Sequence, residues 1–409
     1  MRAWGGTAVA RFGWYAVLGI GMALGLPAQQ GSQGASASRQ SGAVAQLPAL
    51  IPRSHDEREQ NYKREHRIIL NARVTDAQGR PIAGLTQQDF ALIDGGKARE
   101  IASVREMNGA SEAAPARVLL VLDIANSSSE SIAHQRKEIE RYLEENRGRL
   151  AYPVAISVLK ETGMVTGKSS RDADALVGEL RRFTRNAHAI DCAEQGSPSE
   201  QSFGIDVVPD WTSFQKSAQK LSEGDCLVQR FSLSVTALDK LVRSQTNQPG
   251  RAIVVWIGAG WPSLDGPSFE KQPSATRRRL FDYLADLLFT MQEAQVTLDV
   301  VAPPSLVHGA ALRKTSWQTF ANGVQAPDEA SPADLALPVL SSLSGGQVVA
   351  ESRNIAGGIA AAVADADSYY ALEFDSPAAQ GTAEFHSLEI KVDQPGSIVR
   401  GGTAYFTQP

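Results

Sequence analysis

The chain has 409 residues, enough for two or three domains of ordinary size, and its composition (43% hydrophobic, 21% charged) is that of a globular protein. A net charge of −5 excludes nucleic-acid binding through bulk charge. Two cysteines, Cys192 and Cys226, are too few for a cysteine-built metal site.

Residues 1–28 place Arg2 and Arg11 before a mostly apolar run, Phe12 to Leu26, that exits through Pro27-Ala28. Basic start, short apolar core and small-residue exit are the features of a secretory signal peptide. The core falls short of the roughly 20 residues of a membrane span, so membrane contact is expected only through an uncleaved signal segment. The expected location is secreted or periplasmic. Residues 29–66, first rich in Gln, Ser, Gly and Ala and then mixed in charge, read as a disordered linker. In an oxidising compartment Cys192 and Cys226 are expected to form a disulfide; two buried thiols are the alternative.

Residues 67–107 read as the leading half of a β-sandwich. Ile68 to Val74 alternates and stops at the turn Asp76-Ala-Gln-Gly-Arg-Pro81. A short helical turn follows near Gly84–Phe90, then strands at Phe90–Asp94 and from Ile101. From 115 to 368 strands and helices alternate. Strands are predicted at 118–124, 153–160, 251–257, 296–302 and 347–350, with helices at 171–183, 230–243 and 274–294 whose apolar residues recur at i, i+4, i+7. The expected fold class is α/β: a doubly wound, mainly parallel sheet, plus a small β-sandwich made by the flanking segments. Residues 184–229 read as an insertion holding both cysteines and a short helix near 211–221. Residues 303–333 form a second long loop with a helical fragment near 309–321. The tail, 369–407, alternates again and reads as the closing half of the sandwich.

The organising stretch is Arg117-Val-Leu-Leu-Val-Leu-Asp123-Ile-Ala-Asn-Ser127-Ser-Ser-Glu130. A continuous apolar run is a strand buried on both faces, and ligands of such sheets bind beyond the strands' carboxyl ends. Asp123 stands there, with Ser127, Ser128 and Ser129 opening the next helix.

This strand and the small polar loop after it resemble the opening of a von Willebrand factor type A domain. The order of Arg73–Pro81, Gly84–Phe90, Gly250–Pro262, Ser341–Gly346 and Ser368–Tyr370 is similar to that of the VWFA-related proteins of the acidobacterial type. The resemblance spans about 67–407. It implies secretion and a binding role; the reading taken from it is a non-enzymatic protein that contacts another protein or an envelope polymer. It also implies a metal-ion-dependent adhesion site holding Mg²⁺ or Mn²⁺, with Asp-x-Ser-x-Ser on a first loop, Thr on a second and Asp on a third. Such hard cations take oxygen ligands and leave a position for a partner's carboxylate. Asp123 and Ser127 match that pattern, Ala125 replaces its middle Ser, and Thr236 or Ser232 stands for the second loop. The third loop, Gly258-Ala-Gly-Trp-Pro262, has no Asp until Asp265. The site reads as degenerate, no cofactor is expected, and Asp123 is expected to cap a helix or bond loop amides. The expected contact surface is the loops at the strands' carboxyl ends, with Ser128, Ser129, Trp261 and Pro262; Trp256 is expected to be a buried anchor.

The alternatives are an exported hydrolase using Asp123 with Ser127, for which no base is visible, and a purely structural envelope component. Gly163-Met-Val-Thr-Gly-Lys168-Ser169 has one residue too few for a phosphate loop and reads as a turn into an edge strand. The six histidines show no metal spacing. Asp365 and Asp367 are a weak signal for a Ca²⁺ site and, on an Ala-rich helix, read as solvated charges.

Overall fold

A computed structural model of the protein describes residues 67–110, 115–146, 148–186, 188, 190, 224–261, 273–302, 317–350, 353–378 and 383–407. The expected signal segment and linker, Cys192, Pro262 and the short helix near 211–221 lie outside the described residues.

The first strand, β1 (Arg67–Thr75), buries Ile68, Leu70, Ala72 and Val74 and leaves the residues between them less buried, as a strand with one face on a core must. A 3-10 turn at Gln87–Asp89, capped by Thr86, leads to β2 (Phe90–Asp94), β3 (Lys97–Arg99) and β4 (Ile101–Asn108). The α/β layer follows: β5 (Arg117–Asp123), α1 (Ser129–Glu145), β6 (Arg149–Lys160), β7 (Gly163–Thr166), β8 (Ser170–Asp172), α2 (Ala173–Phe183), α3 (Gly224–Arg243), β9 (Ala252–Ile257), α4 (Ser274–Glu293), β10 (Val296–Ala302), α5 (Leu337–Leu343), β11 (Val348–Ala350) and α6 (Ile355–Val363). The chain ends in β12 (Ser368–Asp375), β13 (Glu384–Val392), β14 (Ile398–Arg400) and β15 (Ala404–Thr407).

The seven-stranded sheet runs β11-β10-β9-β5-β6-β7, with β8 also pairing to β6. Its strands are parallel except for β7 and β8, which pair antiparallel with β6. The winding reverses between β5 and β9, as in other doubly wound sheets. Gly163–Thr166, read as a turn into an edge strand, is itself the edge strand. Alternate residues of each central strand serve opposite faces. Leu119, Val121, Val254, Trp256, Leu298 and Val300 share a core with α3, α4 and α5. Val118, Leu120, Leu122, Ile253, Val255 and Ile257 share one with α1, α2 and α6. Both faces are covered, which is why these strands read as unbroken apolar runs. Helix α2 shows how a start is fixed: the Asp172 carboxylate accepts from the amides of Asp174 (3.0 Å) and Ala175 (3.1 Å), and Arg181 and Arg182 end the helix.

The flanking strands pair with one another. One sheet runs β14-β1-β12-β4 and the other β15-β13-β2-β3, so each joins strands from both ends of the chain. Ile68 faces Phe374 and Leu70 faces Leu372 across an antiparallel ladder, and one core holds Leu70, Leu92, Leu372, Phe374 and Tyr405. The chain leaves this sandwich after Asn108 and returns at Ser368, its pairing partner. Gly109 stands at that crossing, where a Cβ would lie 1.9 Å from the Ala366 carbonyl oxygen.

Three expectations need correction. Helix α3 begins at Gly224 rather than 230, because Cys226 and Val228 are buried with Phe231 and extend its apolar face into the stretch read as insertion. Of the fragment expected at 309–321, the described portion is a 3-10 turn at Trp317–Asn322. Asp365 is not solvated. It is 2% exposed, paired with Arg73 at 3.0 Å and with Arg400, and sits where β1 and β14 meet the α/β layer. A second buried carboxylate, Asp299 of β10, lies 3.8 Å from Arg400. Asp367 is exposed as expected and accepts from the Tyr152 hydroxyl.

Candidate functional site

The end of β5 lies beside the end of β9, with Leu122 opposite Ile257, so Asp123 sits where the winding of the sheet reverses. That reversal opens the crevice in which ligands of doubly wound sheets bind. After Asp123 the chain turns at once. The amides of Ile124 and Ala125 both donate to the Leu159 carbonyl, and Ser127 N donates back to the Ile124 carbonyl at 3.1 Å. Ser128 then caps α1, its hydroxyl accepting from Ser131 N at 3.2 Å. Ser128, Ser129 and Glu130 are exposed, whereas everything from Val118 to Ser127 is buried.

The Asp123 carboxylate is 0% exposed and fully engaged. Oδ1 accepts from Asn126 N (3.1 Å), the Asn126 side-chain nitrogen lies 2.9 Å from both carboxylate oxygens, and Trp256 Nε1 donates to Oδ2 at 3.0 Å. The same Asn126 nitrogen donates to Ser234 Oγ at 2.8 Å, and Arg230 Nε donates to Asn126 Oδ1 at 3.1 Å. Burial pushes the Asp123 pKa up, while the bonds from Asn126 and Trp256 and the charge of Arg230 pull against it. Burial likewise lowers the pKa of Arg230, opposed by the charge of Asp123. Of the two roles expected for Asp123, it performs the bonding of a loop amide; the helix cap is Ser128.

The residues do not fit the Mg²⁺ or Mn²⁺ that the resemblance implies. Both carboxylate oxygens already accept from N–H groups. The Ser127 hydroxyl donates to the Asp123 carbonyl (2.6 Å) and toward Gln135 Oε1 (3.3 Å). Gly258 offers no ligand, and a Cβ there, at φ +148°, would stand 2.9 Å from Asp123 Cβ. Thr236 and Ser232 do not supply the second loop. The hydroxyl that reaches the site is Ser234, and residues two positions away on a helix are rotated by about 200° from it. The Thr236 and Ser232 hydroxyls are buried and make no hydrogen bond among the described residues. Among the described residues no group of three His, Cys, Asp or Glu is placed to share a metal ion.

Trp256 is the buried anchor expected, at 0% exposed. Trp261 is not the surface residue expected. It is 4% exposed, packs edge-on to Trp256 with ring centres 5.3 Å apart, and donates to the Leu335 carbonyl at 3.0 Å. The loop folds inward because an indole of this size gains more from a second apolar wall than from water, provided its N–H finds an acceptor. Cys226 is buried and is not a free thiol. Sequence reasoning missed Asn126, Arg230 and Ser234. The available signal was that Asn126 lies within the loop itself and that Arg230 and Ser234 are four apart, hence on one face of α3.

No protein-family profile and no curated protein sequence matches the chain. Among solved structures it is similar to an aerotolerance-related membrane protein from Bacteroides fragilis, with 12% identity over 60% of this chain and 96% of that one and a TM-score of 0.30. It is also similar to a von Willebrand factor type A protein from Catenulispora acidiphila, with 10% identity over 78% and 73% of the two chains and a TM-score of 0.27. A pilus adhesin from Streptococcus pneumoniae matches over 47% of this chain and 25% of its own, at 10% identity and a TM-score of 0.20. Likenesses this distant, at TM-scores of 0.30 and below, carry no argument about this chain. The type A-like architecture of the chain rests on its own sheet: the doubly wound order, the antiparallel edge strand β7, and an acidic residue followed by a small polar loop at the switch point.

Proposed function

We propose that the protein is an exported, non-enzymatic binding protein that engages another protein or an envelope polymer through the loops at the carboxyl ends of its sheet. The observation that carries this reading is the state of the switch-point crevice. Its floor is a closed network around Asp123, while Ser128, Ser129 and Glu130 stand exposed at its edge. A hydrolase needs a base in reach of its nucleophile. The partners of the Ser127 hydroxyl are a backbone carbonyl and the Gln135 amide oxygen, and neither takes up a proton at ordinary pH. With Trp261 folded inward, the described portion of the contact surface is polar, so the partner chemistry proposed is hydrogen-bonding. Export and a Cys192–Cys226 disulfide belong to the same proposal, supported by the make-up of residues 1–28 and by the burial of Cys226. The sandwich, which receives both ends of the α/β layer, serves as its spacer. A purely structural envelope role is the reading that competes with it.

The test is capture of partners from an envelope extract by the full chain, alongside a Ser129→Arg variant that keeps the Ser128 cap. A band captured by the native chain and lost with the variant, at unchanged melting temperature, supports contact through these loops. Identical capture by both sinks it.

A further inference from the structure

We infer that Arg230 is the built-in counter-cation of the switch-point crevice: its positive charge, relayed through the side-chain amide of Asn126, balances the buried carboxylate of Asp123 and does there the work of a bound divalent ion. The inference stands whether or not the loops bind a partner. It starts from the misfit between the donor set and a metal, and four features of the geometry carry it.

Every hydrogen bond the described residues make to the Asp123 carboxylate comes from an N–H: Asn126 N, the Asn126 side-chain nitrogen and Trp256 Nε1. A group surrounded by donors alone is placed to act as an acceptor, which is the behaviour of a carboxylate ion. An ion with no exposed surface needs opposite charge close by, because burying it alone costs far more than a few hydrogen bonds return. The amide between the two charges points the right way. Its nitrogen faces the carboxylate at 2.9 Å and its oxygen faces Arg230 Nε at 3.1 Å, so its dipole is aligned with the field of the pair. The relay is also fixed in place. Ser234 Oγ accepts from the Asn126 nitrogen at 2.8 Å and donates to the Arg230 carbonyl at 2.7 Å, so one face of α3 sets both ends of the amide. Gly258 completes the fit, since its missing side chain lets β9 close down on Asp123.

The role differs from that of an ordinary buried contact, and the difference can be measured. In the full chain, Mg²⁺, Mn²⁺ or EDTA should leave the melting temperature unchanged, and equilibrium dialysis should detect no Mn²⁺ retained at this site. Arg230→Met should lower the melting temperature by several degrees, and Arg230→Lys, which keeps the charge, should recover much of that loss. The double variant Asp123→Asn/Arg230→Met should lose less than the sum of its single variants, because the second change removes the ion the first left uncompensated. Two results overturn the inference: a rise in melting temperature with Mg²⁺ or Mn²⁺ that EDTA reverses, or strictly additive losses in the cycle. If Arg230→Met does not fold, Mn²⁺ dialysis on the native chain and the Arg230→Lys variant decide alone. Stability close to native for Lys and no retained Mn²⁺ uphold the inference, and any other combination ends it.

Discussion

Asp299→Asn should reverse its effect on stability with pH. Asp299 sits in the middle of β10, 0% exposed, at the junction between the α/β layer and the sandwich. Its Oδ1 accepts from Gln347 N at 2.8 Å, while its Oδ2 has no hydrogen-bond partner among the described residues. Burial and the neighbouring Asp365 carboxylate push its pKa from 3.8 up to about 7, against the pull of Arg400, the Gln347 amide and Arg251. The folded chain therefore holds this proton more tightly than the unfolded chain. Stability is highest below the unfolded pKa and is lost as pH rises through the window between the two values. A shift of this size, at about 1.4 kcal/mol per unit, amounts to an upper bound of roughly 4 kcal/mol across the window, and to roughly 3 kcal/mol between pH 5 and pH 8. Asparagine keeps the acceptor for Gln347 N and carries no charge, at a cost of about 1–3 kcal/mol for an amide N–H left without an acceptor. The variant should thus equal or fall below the native chain at pH 5 and exceed it at pH 8. Urea unfolding followed by tryptophan fluorescence at both pH values measures the difference directly. If the stability gap between variant and native chain is the same at pH 5 and pH 8, the buried carboxylate does not titrate as its surroundings require.

Two further outcomes are expected. Trp256→Phe removes the indole donor 3.0 Å from Asp123 Oδ2 and should cost about 2–4 kcal/mol in equilibrium unfolding, a lost bond to a charged acceptor plus the space left behind; a loss below about 0.5 kcal/mol would mean that the bond does not form in solution. Mass spectrometry of a non-reduced digest should contain one peptide linking Cys192 to Cys226, and recovery of both residues as alkylated thiols would rule out the pairing.

What the sequence disclosed, and what it hid, follows from how far each signal reaches along the chain. The central strands were legible because burial on both faces leaves no alternative to an apolar run, and Val118–Leu122 and Ile253–Ile257 show it plainly. The sandwich strands were legible from alternation, and the pairing of the two flanking segments followed from the leading strands being too few to bury a core alone. The helix over 171–183 was visible in its spacing, and Asp172 supplied the cap that fixed its start. The start of α3 was misjudged because a cysteine and turn residues stood ahead of its regular stripe.

Side-chain destinations were another matter. Ala125 and Gly258 told, without coordinates, that the metal pattern was incomplete. Asn126 lay within the loop and Arg230 and Ser234 on one face of α3, but nothing local told that α3 and Trp256 would be brought to the Asp123 loop, which only the strand order does. Trp261 misled for the same reason: a tryptophan in a Gly-Pro loop looks exposed until a second indole and the Leu335 carbonyl are brought beside it. Asp365 misled because an Ala-rich helix gives no hint that Arg73 and Arg400, from opposite ends of the chain, will close over it.

The topology bears on where a partner is met. The chain passes from the sandwich into the sheet through Gly109 and Ala116, at the amino end of β5, and returns beside them at Asp367, whose carbonyl accepts from Gly109 N. Asp123 is at the other end of the same strand, about 20 Å away over seven residues. The sandwich also packs along the α/β layer, Phe406 of β15 lying edge-on to Phe281 of α4 with ring centres 5.5 Å apart. The covalent crossings are at the amino end of β5, and Arg73, Arg251 and Arg400 with Asp299 and Asp365 stiffen the junction rather than serve the site. In this arrangement a change at Ser129 alters contact without loosening the junction. A change at Asp299 alters the junction without touching the exposed loop. The two variants thereby separate a binding role from a purely structural one.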